Sequence, residues 1–194
     1  MLKKTLLTTA VAAAGLVTLG QAQAADYTID TEGQHAFVQF KISHLGYSYI
    51  LGSFEDFSGE FSYDADDLDA SSVDMEVQVS SLNSNHGERD RHILSSDFLN
   101  AEEYPTATFT STGFESTGDD EGVVTGDLTL HGQTQEIEMP VTLMGEGEDP
   151  WGGYRAGFEG STMITLGDFG IDMSDFPEAM HELELYVTFE GIRQ

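Results

Sequence analysis

The stretch His181-Glu182-Leu183-Glu184-Leu185-Tyr186-Val187-Thr188-Phe189 alternates apolar and polar residues almost without a break. A β-strand sends successive side chains to opposite faces. Leu183, Leu185, Val187 and Phe189 therefore share one face, and Glu182, Glu184 and Thr188 share the other. The same period of two recurs at Val73, Met75, Val77 and Val79, at Val124, Gly126, Leu128 and Leu130, and at Ile137, Met139, Val141 and Leu143. Gly118 to Gly122 and His131-Gly132-Gln133 read as hairpin turns between such segments. The pattern predicts an all-β fold of about eight antiparallel strands, closed as a barrel or stacked as a sandwich around an apolar interior.

The period changes once. Asn85-His86-Gly87-Glu88 offers an N-cap residue with Glu at the third helical position. A short helical insertion is expected from His86 to Leu94, and Tyr104-Pro105 ends that region. Elsewhere the expected strands are Tyr27–Asp30, Ala36–Ser43, Gly52–Tyr63, Val73–Ser80, Thr106–Thr112, Tyr154–Leu166 and Glu182–Ile192, with an irregular segment from Asp168 to Met180.

Residues 1–24 have the form of a secretory signal peptide. Lys3 and Lys4 form a basic start, Leu6 to Leu19 is an apolar run, and Ala22-Gln23-Ala24 supplies a small-x-small cleavage pattern. The run falls short of the ~20 residues that a spanning helix needs. Residues 25–194 are then one domain, expected in the periplasm. No cysteine is present, so packing and sheet hydrogen bonds carry the stability even where disulfides are permitted.

Charge is the extreme feature. Without Lys3 and Lys4 the chain has 5 basic residues against 35 acidic ones, a formal −30. Such a surface repels phosphate backbones, which excludes nucleic acid as a partner. It reads as an adaptation to high salt, as in halophilic proteins, with a cationic partner as the alternative; salt screens the self-repulsion.

Six histidines invite a metal reading, but none of them forms a motif with ligand spacing, and no metal site is expected. His35 and His44 are nine residues apart and so fall on opposite faces of a strand. The plainer reading of each is a hydrogen-bonded structural histidine. His44 is in phase with Val38, Phe40 and Ile42, so it also reads as a polar handle inside the barrel. Arg89 either pairs with a carboxylate and pins the helix, or meets a polar group at the barrel mouth together with His92. No G-x-S-x-G motif supports a nucleophile. Phenylalanines recur on most of the strands. They fit a packed core and an apolar tunnel equally well, because both need inward-facing apolar side chains.

Several spaced motifs together resemble the YceI-like family. They are His35-Ala36-Phe37-Val38 with His44-Leu45-Gly46, Gly52-x-Phe54-x-x-Phe57-x-Gly59, Asn85-x-x-x-Arg89-Asp90-x-His92-Ile93, Tyr104-Pro105-x-x-x-Phe109, Gly126-x-Leu128-x-Leu130-x-Gly132, Arg155-x-Gly157-Phe158 and Asp168-Phe169-Gly170. The resemblance spans nearly all of residues 25–194. It implies a lipocalin-like antiparallel β-barrel that encloses a long isoprenoid or similar lipid: a polyprenyl phosphate, a quinone tail or a fatty amide. It implies no enzymatic activity and no cofactor beyond the bound lipid. The chain's acidity departs from the family pattern.

The expectation is thus a periplasmic lipid carrier. Its tunnel candidates are Val38, Phe40, Ile42, Val77, Val79, Leu128, Leu130, Met139, Val141, Leu185 and Val187. His44, Arg89 and His92 are candidates for a polar end. Exposed rim strands offer a route to a homodimer. Three rivals share parts of the pattern: a small outer-membrane barrel with its apolar face outward, a lipid-modifying enzyme using His44, Arg89 and His92, and a filled barrel without a ligand.

Overall fold

The computed structural model describes residues 24–194. Residues 1–23 of the expected signal peptide lie outside the described residues. In chain order the elements are β1 (Ala25–Ile29), β2 (Ala36–His44), β3 (Ser48–Phe54), β4 (Phe57–Tyr63), β5 (Ser72–Gln78), β6 (Leu82–Asn83), α1 (Gly87–Ile93), β7 (Thr106–Ser116), β8 (Glu121–Leu130), β9 (Gln133–Glu148), β10 (Tyr154–Thr165) and β11 (Glu182–Arg193).

Eight of these strands close on themselves in the order β1-β4-β5-β7-β8-β9-β10-β11, every neighbour antiparallel. The seam sets Tyr27 opposite Arg193 and Ile29 opposite Gly191. The closed antiparallel barrel with one short helix is one of the two closures that the alternation allows and the one that the family resemblance implies. The other three strands build a flap. β2 continues along the edge of β11 beyond β1, with Val38 opposite Val187 and Ile42 opposite Leu183. β3 folds back on β2, and β6 adds two residues to the end of β3.

Three local expectations change. Gly52–Tyr63 is not one strand: it breaks at Glu55-Asp56, where the Glu55 N–H donates to the Ser81 carbonyl and the Asp56 carbonyl accepts from the Gln78 N–H. β5 stops at Gln78, and Val79 opens a 3-10 turn. The helix starts one residue late. Its cap is His86, whose Nδ1 accepts from the Arg89 N–H at 3.2 Å, while Asn85 takes a left-handed φ of 63°. The imidazole nitrogen supplies the acceptor that an N-cap needs.

Polarity confirms which face is inside. Along β5, Asp74 and Glu76 are exposed while Val73, Met75 and Val77 are half-buried. Along β9, Glu136 and Glu138 are exposed while Ile137, Met139 and Val141 are half-buried. The apolar side faces inward and the acidic side outward. An outer-membrane barrel has the reverse pattern.

Apolar clusters gather towards both ends of the barrel, and several of their residues also face the interior. Near the helix, Phe40, Val79, Leu82, Leu99, Leu166, Ile171 and Met173 pack together. Near the chain ends, Tyr27 stacks on Phe61 with centroids 4.7 Å apart, and Phe158 and Phe189 lean on Phe61. Large rings lie over glycines of the neighbouring strand. A Cβ on Gly126 would lie 2.4 Å from the Phe109 ring, so only glycine admits that ring.

Outside the barrel Arg155 ties three segments together. Its Nη1 donates to Asp30 Oδ2 at 2.6 Å and Glu190 Oε2 at 3.0 Å, and its Nε donates to Asp149 Oδ2 at 3.1 Å. The staple joins the β1–β2 turn, the β9–β10 hairpin and β11. The Arg155 hydrogen bond, followed by the Gly33 N–H, holds the Asp30 carboxyl below its ordinary range.

Candidate functional site

Between the two clusters the barrel is hollow. A cavity of about 680 Å³ runs along the interior and is lined overwhelmingly by apolar side chains. Ligand pockets commonly fall in the range of ~300–1,000 Å³. The 12 residues of β11 set the wall height at roughly 30 Å along the axis, from ~3.4 Å per residue and a tilt of ~40°. Leu183, Leu185, Val187 and Phe189 point inward yet remain only half-buried. The surface they leave uncovered faces the cavity.

Ten of the eleven tunnel candidates lie on this wall: Val38, Phe40, Ile42, Val77, Leu128, Leu130, Met139, Val141, Leu185 and Val187. Val79 does not line it. With the strand ending at Gln78, Val79 leaves the alternating face and sits 1% exposed in the cluster near the helix.

Other lining residues escape the period-two reading. Thr112 is an extra residue in β7, opposite the junction of Thr125 and Gly126 on β8. Such a bulge inverts the face of everything after it. Phe109 and Phe114, an odd spacing, both reach the cavity. A second bulge at Met144 in β9 inverts the phase after Leu143 and brings Glu146 to the lining. Phe98 and Phe176 come from irregular segments with no period to read. Met75, Ile137 and Leu183 carry the period plainly and belong with the candidates.

The two ends differ in charge. At the helix end the wall includes His44, Arg89 and His92. Arg89 is half-buried, and its Nε donates to Ser84 Oγ at 2.7 Å while Nη2 donates to the Ser84 carbonyl. Asp90 accepts from both the N–H and the hydroxyl of Ser84. Burial works against the charged Asp90 carboxylate, but those hydrogen bonds and the nearby Arg89 outweigh it and keep the carboxyl below its ordinary range. Arg89 therefore pins the helix through Ser84 and, among the described residues, pairs directly with no carboxylate. Among the described residues its Nη1 makes no hydrogen bond. His92 stands edge-on to Phe98 at 5.0 Å, with Nε2 3.8 Å from Asp97.

At the opposite end the wall includes Tyr63, Asp119, Asp120, Glu121 and Glu146. Burial, reinforced by Glu146 and Asp120, pushes the Tyr63 phenol above its ordinary value. Among the described residues no group of three or more His, Asp or Glu side chains is arranged to hold a metal ion. No helix there is long and apolar enough to cross a membrane.

Comparison with known proteins agrees with this architecture. A UPF0312 protein of Azotobacter vinelandii is 55% identical over 194 residues, covering 100% of both chains. Burkholderia cenocepacia BcnA superposes with a TM-score of 0.74 at 22% identity, covering 84% of this chain and 98% of that one. A polyisoprenoid binding domain from Saccharophagus degradans, implicated in plant cell wall breakdown, superposes with a TM-score of 0.66 at 14% identity, covering 89% of this chain and 100% of that one. The YceI-like domain model matches residues 27–190, nearly the whole described chain, and the protein belongs to the YceI-like family.

Proposed function

We propose that this protein is a periplasmic carrier or scavenger that encloses the chain of an isoprenoid or similar long lipid, and that it catalyses no reaction. The observation that carries the reading is the hollow, apolar barrel interior with half-buried inward side chains. Water in such a space is poorly satisfied, and a hydrocarbon chain replaces it. Each CH₂ removed from water contributes about 0.8 kcal/mol, so a partly enclosed chain has ample affinity. The likeness to a polyisoprenoid binding domain supports the lipid class, and the N-terminal sequence supports export.

The polar end gives the ligand a direction. Arg89 holds a hydrogen-bond donor in reserve at the cavity wall, flanked by His44 and His92, whereas the opposite end is carboxylate-rich. A phosphate head or a quinone ring with its carbonyl acceptors belongs at the Arg89 end. The test is organic extraction and native mass spectrometry of protein purified from its own host. The expected result is one long-chain lipid per protein. Recovery of no lipid, together with no uptake of a polyprenyl probe, would sink the proposal.

A further inference from the structure

Acidic residues are spread through the chain with one interruption. Residues 33–54 contain no Asp or Glu over 22 positions, whereas the next longest acid-free stretches after residue 24, 77–87 and 104–114, have 11 each. The structure folds residues 36–54 of this stretch into the β2–β3 hairpin. The inner face of that hairpin lines the cavity through Ile42, His44 and Ile50. Its tip and outer face carry Leu45 at 43% exposure, Tyr47 at 88%, and Tyr49 and Leu51 at 65% each. Lys41 lies over the Tyr49 ring at 4.7 Å and donates to Glu184 Oε2 of the neighbouring β11 at 2.7 Å, so the carboxylate bordering the hairpin is compensated. Beyond Ser53 and Phe54 the free side of β3 pairs with no strand among the described residues.

We infer that the tip and outer face of the β2–β3 hairpin dock on a phospholipid bilayer, and that lipid passes between the bilayer and the cavity along this hairpin. The inference rests on the lipid-carrier reading. Charge selects the occupant. A bilayer with anionic headgroups repels a formal −30 surface everywhere except where carboxylates are missing, which orients the molecule hairpin-first. Exposed tyrosine and leucine side chains suit the interface between headgroups and acyl chains. A second copy would bring the same formal −30 against its own, which opposes that pairing. The hairpin is cavity wall on its inner face and exposed on its outer face, so it is a stretch where a bilayer and the cavity come close. A hydrocarbon chain that crosses open water loses its apolar solvation, so the wall that admits it belongs against the membrane.

The charge pattern also fixes the sign of the salt response. A polybasic protein leaves anionic vesicles as salt rises. Here salt screens the repulsion of the acidic surface and leaves the apolar contact intact, so vesicle binding rises with salt.

The test is flotation of the purified protein with vesicles of phosphatidylethanolamine and a minor share of phosphatidylglycerol, together with uptake of a fluorescent polyprenyl phosphate offered from the vesicles or from ethanol. Wild type floats, and more so as salt is raised. The pair Tyr47→Glu with Leu51→Glu lowers flotation and vesicle uptake about tenfold or more, as for two apolar side chains kept in water, while uptake from ethanol is unchanged. The neutral pair Tyr47→Ser with Leu51→Ser shows the same direction and guards against misfolding of the charged pair. Met163→Glu, at a 55% exposed position on the outer wall, behaves as wild type. Retained flotation in both pairs overturns the inference. So does equal loss in Met163→Glu, or a concentration-dependent dimer that the pairs abolish while flotation persists. Failure of uptake from ethanol in wild type would instead strike the carrier reading, which the flotation readout does not depend on.

Discussion

Val79 and Val187 are the same residue type with opposite circumstances. Val79 is sealed in the cluster near the helix, whereas Val187 is half-buried against the cavity. Val79→Ala opens a void in close packing and is expected to cost about 2 kcal/mol in a denaturant titration, with lipid uptake unchanged. Val187→Trp fills existing space. It is expected to leave stability within about 1 kcal/mol of wild type and to lower lipid affinity about tenfold, as for two methylenes kept in water. Equal effects of the two variants on uptake would mean that the cavity is not the lipid site. Arg89 makes a separate contribution. Loss of one hydrogen bond to a charged group is worth about 2 kcal/mol, so Arg89→Gln lowers affinity for a polyprenyl phosphate about thirtyfold. Affinity for the matching unphosphorylated hydrocarbon stays within about twofold on the same scale, and titration calorimetry of the two ligands separates head from tail. At this scale the sequence is informative wherever the strand is regular. Val38, Phe40 and Ile42 reach the cavity wall in phase because nothing interrupts β2. Val79 misleads because a strand end is a matter of hydrogen bonds that its own side chain does not announce.

Among the elements, the Arg155 staple and the two bulges decide the shape. Asp30 is nearly buried, and Arg155 compensates its charge. Asp30→Asn leaves the guanidinium short of its strongest partner and is expected to cost about 3 kcal/mol. The pH dependence has a definite sign. The folded-state pKa of Asp30 is lowered, so the stability it contributes is fully present above the ordinary carboxylate value of about 4 and is lost as pH falls through the folded value. Thermal melts across acid pH are expected to show wild type falling more steeply than Asp30→Asn; parallel curves would contradict the assignment. Arg155 is visible in the sequence as one of few cations, but its three carboxylate partners are up to 125 residues away along the chain. No spacing rule reaches that far. The bulges at Thr112 and Met144 are equally silent, since an extra residue shows only against a partner strand. They bring Phe114 and Glu146 to the cavity against the local period.

For the molecule as a whole, charge and hollowness set the behaviour. A formal −30 on residues 25–194 favours expansion, and salt relieves it. The melting temperature is expected to climb as sodium chloride is raised from low to molar concentration, by several degrees for each ~1 kcal/mol of repulsion screened. A flat or falling curve would remove the salt-adaptation reading. The sequence by itself determined most of the strands, the all-β antiparallel class, the inward and outward faces and the acidic exterior, because a period of two and a charge count are local properties. The choice of a barrel over a sandwich came from the resemblance to the family. The stretch Leu183 to Phe189 shows the two faces of one wall in a single reading. Only the tertiary structure decided that the inside is a cavity and not a packed core. Both arrangements need the same inward apolar residues. The difference lies in whether side chains from non-adjacent strands meet inside the barrel, as Phe61 and Phe158 do at one end, or leave inward surface uncovered, as half-buried Leu185 and Val187 do on the cavity wall.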